Sequence, residues 1–215
     1  MTTFSHFGSQ LDGAQLDVWR SLTSPFEIQA YLDTVPYSPE DLNRSPLRVM
    51  RDRLAHCLDG ALFAAGALWR LGYPPVLVQM LPVAGTDDDH IVAVYRRHGG
   101  FGAVAKSNFV GLRFREPIYR TVRELALSYF EVYFNADGMK TLREYRAPLR
   151  LPGLDALDWM TEDRGGDVIE ERLNHVRCYP LITPEMAKAL SPMDATSYRA
   201  GMLVVNPAGL YKKKE

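Results

Sequence analysis

The pattern of apolar and polar residues predicts one buried helix in the first third of the chain. Apolar and small side chains recur every three or four residues between Leu54 and Trp69, which is typical of a helix that buries one face. Ser45-Pro46 is a helix-start signal upstream, and Gly72 is a stop signal. Because small residues dominate from Gly60 to Ala67, we expect strands to pack closely against this helix, at the centre of the fold.

Three short apolar segments follow and are predicted to be strands. They run from Val76 to Leu81, Ile91 to Tyr95 and Phe101 to Ala105, and they are apolar on both faces, as buried strands are. Gly99-Gly100 separates the last two and predicts a hairpin turn. Further helices are predicted at Gly13 to Leu22, Pro25 to Leu32, Arg120 to Phe134, Val168 to Val176, Pro184 to Leu190 and Met193 to Ala200, with a break at Arg164 to Gly166.

These elements predict an α+β fold with a central cysteine-bearing helix packed on a small antiparallel sheet, and with extra helices. A chain of 215 residues is long enough to bury a sizeable core without disulfides or metals. We expect residues 1–44 to be an N-terminal helical segment and residues 45–135 to be the functional core. Residues 136–215 are expected to be a helical extension that packs on this core.

Composition excludes several classes of partner. With 25 basic and 26 acidic side chains, the net charge of -1 gives no electrostatic reason to bind nucleic acid or an anionic membrane. The longest uncharged apolar run, Ala61 to Trp69, is nine residues and too short to span a bilayer. Two cysteines and no apolar leader predict a cytoplasmic protein with reduced thiols.

Cys57 and His90 are the main candidates for chemistry. Cys57 lies near the start of the small-residue helix, and His90 opens an apolar strand. A helix N-terminus lowers the pKa of a thiol only within the first turn, so activation requires a chain break near Ala55-His56 and excludes one continuous helix. The alternative is that Cys57 is an inert core residue, because free cysteines are often buried.

The stretch from His56 to Ala61, the turn from Leu71 to Pro75, Asp89-His90 and the segment from Phe101 to Val104 resemble the transglutaminase-like branch of the papain-like cysteine enzymes. The resemblance covers about residues 45 to 110. It implies that Cys57 is the nucleophile and His90 the base. It also implies thiol chemistry at an amide or ester carbonyl, by hydrolysis or acyl transfer, on a small-molecule or peptide substrate without a cofactor.

The sequence departs from this family at the third catalytic position. The aspartate that orients the histidine falls on or near Ala105, which cannot do so. A two-residue turn at Gly99-Gly100 places Ser107 on the same face as His90, whereas a three-residue loop brings Asn108 opposite it, so both are candidate orienting residues. A serine or asparagine orients histidine less well than aspartate does. A weakened or inactive protein that acts as a binding or scaffold protein is therefore the alternative function.

Two charged groups flank this region. Arg113 and Arg115 lie two residues apart on an extended segment and are candidate ligands for a carboxylate or phosphate of the substrate, or ion pairs that pin a loop to the next helix. The aspartates from Asp87 to Asp89 resemble a cation site. Consecutive residues point in different directions, however, so we expect no metal. His56 and His98 are interpreted as structural or exposed.

Overall fold

The computed structural model describes residues 3–151 and 153–212, which form nine α-helices and one seven-stranded sheet. The helices are α1 (Thr3–Ser9), α2 (Gly13–Ser21), α3 (Pro25–Asp33), α4 (Pro46–Asp52), α5 (Cys57–Arg70), α6 (Val122–Leu127), α7 (Asp163–His175), α8 (Pro184–Lys188) and α9 (Ala195–Gly201). The strands are β1 (Val76–Pro82), β2 (His90–Arg97), β3 (Gly100–Val104), β4 (Arg115–Tyr119), β5 (Leu142–Arg146), β6 (Leu149–Arg150) and β7 (Cys178–Pro180). This confirms the predicted α+β class.

The sheet is antiparallel and runs in the order β4-β3-β2-β1-β5-β7, with β6 added beside β1. Strand β1 pairs with β2 from Leu77 opposite Ala93 to Met80 opposite His90, so His90 belongs to the last pair of this ladder. Side chains alternate between the two faces of a strand. Ile91 and Ala93 therefore project toward α5, and His90 and Val92 project toward the opposite face.

A chain break between α4 and α5 places Cys57 at the first position of its helix. Helix α4 ends at Arg53, which adopts a left-handed conformation with φ 53°, and Ala55 then forms a parallel bridge with Tyr37. Helix α5 begins at Cys57 with His56 as its N-cap. The predicted break near Ala55-His56 is confirmed, and one continuous helix is excluded.

The sheet has a hydrophobic core on each face. On one face, α3, α4, α5 and α7 pack against Leu77, Ile91 and Ala93. On the other, residues of α6 and the aromatic residues that follow it cover Val78, Met80 and Val92. Packing on both faces therefore holds the sheet rigid. The site at the start of α5 lies at one end of this sheet.

The structure corrects three predictions of the elements. The hairpin turn is formed by His98-Gly99, with φ 50° and 86°, because Arg97 pairs with Gly100. The helix predicted up to Phe134 ends at Leu127, and a 3-10 turn at Phe130–Val132 follows. Arg164 to Gly166 lie inside α7, since a Cβ at Gly165 would come within 2.5 Å of the Trp159 Cα, and only glycine permits that approach.

The segment after residue 135 is not only helical. Strand β5 pairs with β1, and β7 pairs with β5, so this segment completes the sheet of the predicted core. Trp159 and Leu173 from the same segment are fully buried in the core on the α5 side. Within the described ranges, every helix is too short or too polar to traverse a bilayer.

Candidate active site

His56 caps the helix that carries Cys57. Its Nδ1 accepts the Leu58 N–H at 3.2 Å, and the opposite ring nitrogen, Nε2, donates to the Leu42 carbonyl at 3.1 Å. The ring is therefore the neutral Nε2–H tautomer, and burial lowers its pKa accordingly. His56 was expected to be structural or exposed. It is structural, and it also lines the cavity beside Cys57.

A buried carboxylate under the first turn of α5 fixes this cap. Asp59 is fully buried and accepts the N–H groups of Arg44 at 2.6 Å and His56 at 3.0 Å. The Arg44 guanidinium lies 3.6 Å from the same carboxylate. Burial raises the pKa of Asp59 to about 7 despite these partners. The first turn of α5 is thus held on both sides, which orients the Cys57 side chain.

The Cys57 thiol is only partly exposed and is protonated in this conformation. Burial is the main cause that raises its pKa well above the ordinary range, and the nearby Asp89 adds to it. The Sγ–H group points to the Asp89 carbonyl oxygen at 3.8 Å. Burial of the thiol thus opposes the lowering of its pKa that the N-terminus of α5 is predicted to give.

His90 is buried on the face of the sheet opposite α5. Its Nε2 donates to the Leu112 carbonyl at 2.8 Å, and its ring packs edge-on against Tyr129 and Tyr133. A carbonyl only accepts, so Nε2 carries the hydrogen and Nδ1 keeps a free lone pair. Burial lowers the pKa of His90 to about 4, so the ring is a neutral base at pH 7.

Two adjoining cavities meet at Cys57. The larger has a volume of about 330 Å³ and is lined by Cys57, Tyr37, Asp89 and Glu170, among others. The smaller has a volume of about 30 Å³ and is lined by both Cys57 and His90, which approach it around the end of β2. The cavities bring the two predicted catalytic residues to one space, although their side chains start on opposite faces of the sheet.

The predicted orienting residues make other bonds. The Ser107 hydroxyl accepts the Phe109 N–H at 3.0 Å, and the Asn108 amide bonds to Asn206 and Gly209. Neither donates to nor accepts from His90 in the hydrogen bonds of the described residues. The main-chain oxygen of Leu112 takes the place for which they were predicted. Both residues still line the smaller cavity.

The predicted substrate ligands Arg113 and Arg115 do not line either cavity. Arg113 pairs with Asp33 at 3.1 Å. Arg115 donates to Ser128 and to the Gly111 carbonyl, and its guanidinium stacks 3.9 Å from the centre of the Tyr129 ring. Both side chains hold the segment after β3 to the structure around it, but not by the predicted ion pairs to the next helix, because Arg113 pairs with Asp33 of α3 and the side-chain partner of Arg115, Ser128, is uncharged.

The aspartates from Asp87 to Asp89 diverge, as expected. Asp87 accepts a hydrogen bond from Thr141, and Asp89 accepts one from Gln79 at 2.6 Å. In the part of the chain that the structure describes, no three His, Cys, Asp or Glu side chains form a group that could hold a metal ion.

Sequence reasoning missed three contributors to the site. Tyr37 lines both cavities, the Leu112 carbonyl orients His90, and the segment from Ala208 to Lys212 lines the larger cavity. Tyr37 and the late segment reach the site only through tertiary packing, and a carbonyl has no signature in residue type. Tyr37 is brought to the site by its bridge to Ala55, which lies two residues before Cys57.

The structure has the arrangement that the transglutaminase-like resemblance of the sequence implies. A helix begins at a cysteine and packs on an antiparallel sheet that carries a histidine. No family model matches the chain, and no curated protein matches it.

Two solved structures of LapG from Legionella pneumophila are similar over about half of the chain. The EGTA-treated form is 13% identical and covers 50% of this chain and 70% of its own, with a TM-score of 0.37. The other form is 13% identical and covers 48% and 71%, with a TM-score of 0.36. A likeness this distant says nothing about the activity of the chain.

Proposed function

We propose that the protein is a transglutaminase-like cysteine enzyme that acts on an amide or ester carbonyl, with Cys57 as nucleophile and His90 as base. The observation that carries the proposal is the meeting of both residues at one cavity, with Cys57 at the first position of a 14-residue helix. Backbone amides at a helix N-terminus have no intrahelical acceptors. The Leu58 N–H is bonded to His56, so the Cys57 N–H is the helix amide proposed to bind the oxyanion that forms when a thiol adds to a carbonyl.

The reaction needs a proton transfer, because the resting pair is neutral on both sides. His90 Nδ1 takes the proton of the Cys57 thiol while the sulfur adds to the carbonyl carbon. The tetrahedral intermediate collapses to an acyl-enzyme when His90 returns the proton to the departing amine or alcohol. A water or an amine then releases the acyl group. The bond from Nε2 to the Leu112 carbonyl keeps the ring in the tautomer that this sequence requires.

The raised pKa of the Cys57 thiol favours a second candidate, a fold retained for binding. A thiol that stays protonated at neutral pH reacts slowly unless its base is within reach. In the resting conformation, the Sγ–H group points to the Asp89 carbonyl. A binding protein of this kind would use the 330 Å³ cavity without turnover.

The two candidates differ in whether Cys57 becomes acylated. An activated ester, p-nitrophenyl acetate, is the probe, and intact-protein and peptide mass spectrometry are the readouts. The proposal expects one acetyl group on Cys57, and a rate that His90→Gln lowers by about 100-fold, since general-base catalysis contributes on this order.

The matched control is Cys178→Ser, because Cys178 lies on β7 and its Sγ donates to Glu144 at 3.2 Å, away from the cavity. This variant should react as the parent protein does. Acetylation at the same rate in the parent and in His90→Gln would remove His90 from the mechanism. Absence of an acetyl group on Cys57 would favour the binding protein.

A further inference from the structure

A segment from the end of the described chain closes the cleft at Cys57. We call residues 206–212 the strap. Ala208 to Lys212 line the larger cavity, and Gly209 and Tyr211 also line the smaller one. The strap begins with a 3-10 turn at Pro207–Gly209, which Asn206 caps through its side chain. The same segment therefore borders the space on both sides of the nucleophile.

One buried amide holds the strap by its main chain. The Asn108 side chain accepts the Asn206 N–H at 2.7 Å and donates to the carbonyls of Asn206 at 2.9 Å and Gly209 at 3.1 Å. Asn108 is 4% exposed, so these bonds are shielded from water. An amide that pairs in both directions with one backbone unit is a clamp for an extended peptide, independent of its side chains.

A second contact ties the strap to Tyr37, which lines both cavities. The Asn206 side chain donates to the Tyr37 carbonyl at 3.3 Å. A Cβ at Gly209 would lie 2.9 Å from the Tyr37 ring, so glycine allows the strap to lie flat on the ring. The strap, Tyr37 and Asn108 thus form one wall of the cleft.

We propose that the strap is an autoinhibitory segment, which occupies in cis the path that a polypeptide substrate takes to Cys57. Release of the bonds from Asn108 and of the bond between Asn206 and Tyr37 opens this path, and the apparent reactivity of Cys57 is scaled by the fraction of molecules in the open state. The inference rests on the proposed function for its physiological meaning. Closure of the cleft is measured without turnover, through the reactivity of the Cys57 thiol.

The test measures alkylation of Cys57 by a bulky maleimide in the Cys178→Ser protein, where Cys57 is the only thiol. Two truncations are compared, one that removes residues 206–215 and a matched one that removes residues 213–215 and keeps the strap. We expect the first to raise the alkylation rate about tenfold over the second, which corresponds to a closed strap that is favoured by about 1.4 kcal/mol. Asn108→Ala in the full chain should give an increase of the same sign.

Separate measurements distinguish loss of the fold from release of the strap and from enzymatic activity. Far-UV circular dichroism and a urea melt of both truncations show whether the fold is retained. Asn108→Ala tests release of the strap without truncation. Equal alkylation rates in both truncations and in Asn108→Ala, with the fold retained, would overturn the strap. Faster alkylation without acetylation by p-nitrophenyl acetate supports the proposed strap and contradicts the proposed enzymatic function. Acetylation that depends on His90, together with equal alkylation rates in both truncations and in Asn108→Ala, supports the enzyme and contradicts the strap.

Discussion

At the scale of single residues, the site is built from groups whose charge is suppressed by burial. Burial keeps His90 and Cys57 neutral, and it raises the pKa of Asp59 to about 7. Neutral groups cost less to bury than ions, so a site that charges only during reaction can sit between two packed cores. The charge separation is then created by the proton transfer itself.

His90 gives this site a signature in the pH dependence of stability. The folded-state pKa of about 4 lies below the ordinary value of 6.5, so the unfolded chain binds the proton first as pH falls. Stability from His90 is complete above about pH 6.5 and is lost as pH falls through about 4. We expect about 2 kcal/mol of this loss by about pH 5.

The measurement is the free energy of unfolding in urea at about pH 7 and about pH 5, for the parent and for His90→Gln, which keeps a donor for the Leu112 carbonyl. Asp59 and Asp87, whose pKa values are raised to about 7 and about 6, gain stability as pH falls, but they do so in both proteins. The difference between the two slopes isolates His90. Parallel slopes would show that His90 titrates normally in the folded protein.

The residue scale also shows where sequence reasoning stops. Cys57 and His90 are candidates from sequence alone, because their residue types and order carry chemistry. Leu112 could not be found, because its contribution is a carbonyl, and Asn108 was assigned to the histidine because the strap that it binds lies 98 residues away in sequence. The pairing of Arg115 with Ser128 and Tyr129 likewise depends on a turn that no local pattern specifies.

At the scale of elements, α5 is positioned by the small residues that face its neighbours. A Cβ at Gly60 would lie 2.2 Å from the Lys106 Cβ, an atom next to the backbone that cannot move away. A Cβ at Gly66 would meet the Met160 Cε at 3.0 Å, and this is the end of a flexible side chain. The two glycines therefore differ in what alanine would cost.

Gly60→Ala should destabilise the protein by about 2–3 kcal/mol, because overpacking exceeds the gain of about 1 kcal/mol in helix propensity. Gly66→Ala should stay within about 1 kcal/mol of the parent, since the same gain offsets a small shift of Met160. Urea melts of the two variants provide the comparison. A Gly60→Ala protein as stable as the parent would mean that α5 does not approach Lys106 so closely.

Helices were predicted better than strands for a physical reason. The starts of α3 and α4 are encoded locally by Ser24-Pro25 and Ser45-Pro46, each with a serine oxygen accepting a backbone N–H. Strands β5 and β7 are short and polar on one side, and their partners are distant, with β5 pairing to β1 across about sixty residues. Periodicity does not record such pairings.

At the scale of the whole molecule, residues after 135 are part of the same folding unit as α5. They supply β5 beside β1, and Trp159, Ile169 and Leu173 to the core on the α5 side. A chain that ends at residue 135 would leave the β1 edge unpaired and this core open. The packing therefore shows no boundary at residue 135, where the pattern of predicted elements places one.

We therefore expect residues 1–135, produced alone, to lack a cooperative urea transition and to bind the dye ANS, because exposed apolar surface and lost tertiary packing give these signatures. The protein without residues 206–215 is the matched control, since the strap adds contacts at the cleft without completing the sheet. It should unfold cooperatively. A cooperative transition for residues 1–135 would contradict this account.

The bond from His90 to the Leu112 carbonyl has a consequence for how the orienting group of the site can be recognised. No side-chain replacement at Leu112 deletes a main-chain oxygen, so an alanine scan passes over the group that fixes the tautomer of the base. The oxygen is aimed instead by the bend of the chain, and Gly111 is the sensitive point of this bend, because a Cβ there would lie 2.6 Å from the Val132 Cβ. An alanine at position 105, where the resemblance implies an aspartate, is therefore compatible with an oriented histidine and does not by itself predict an inactive protein.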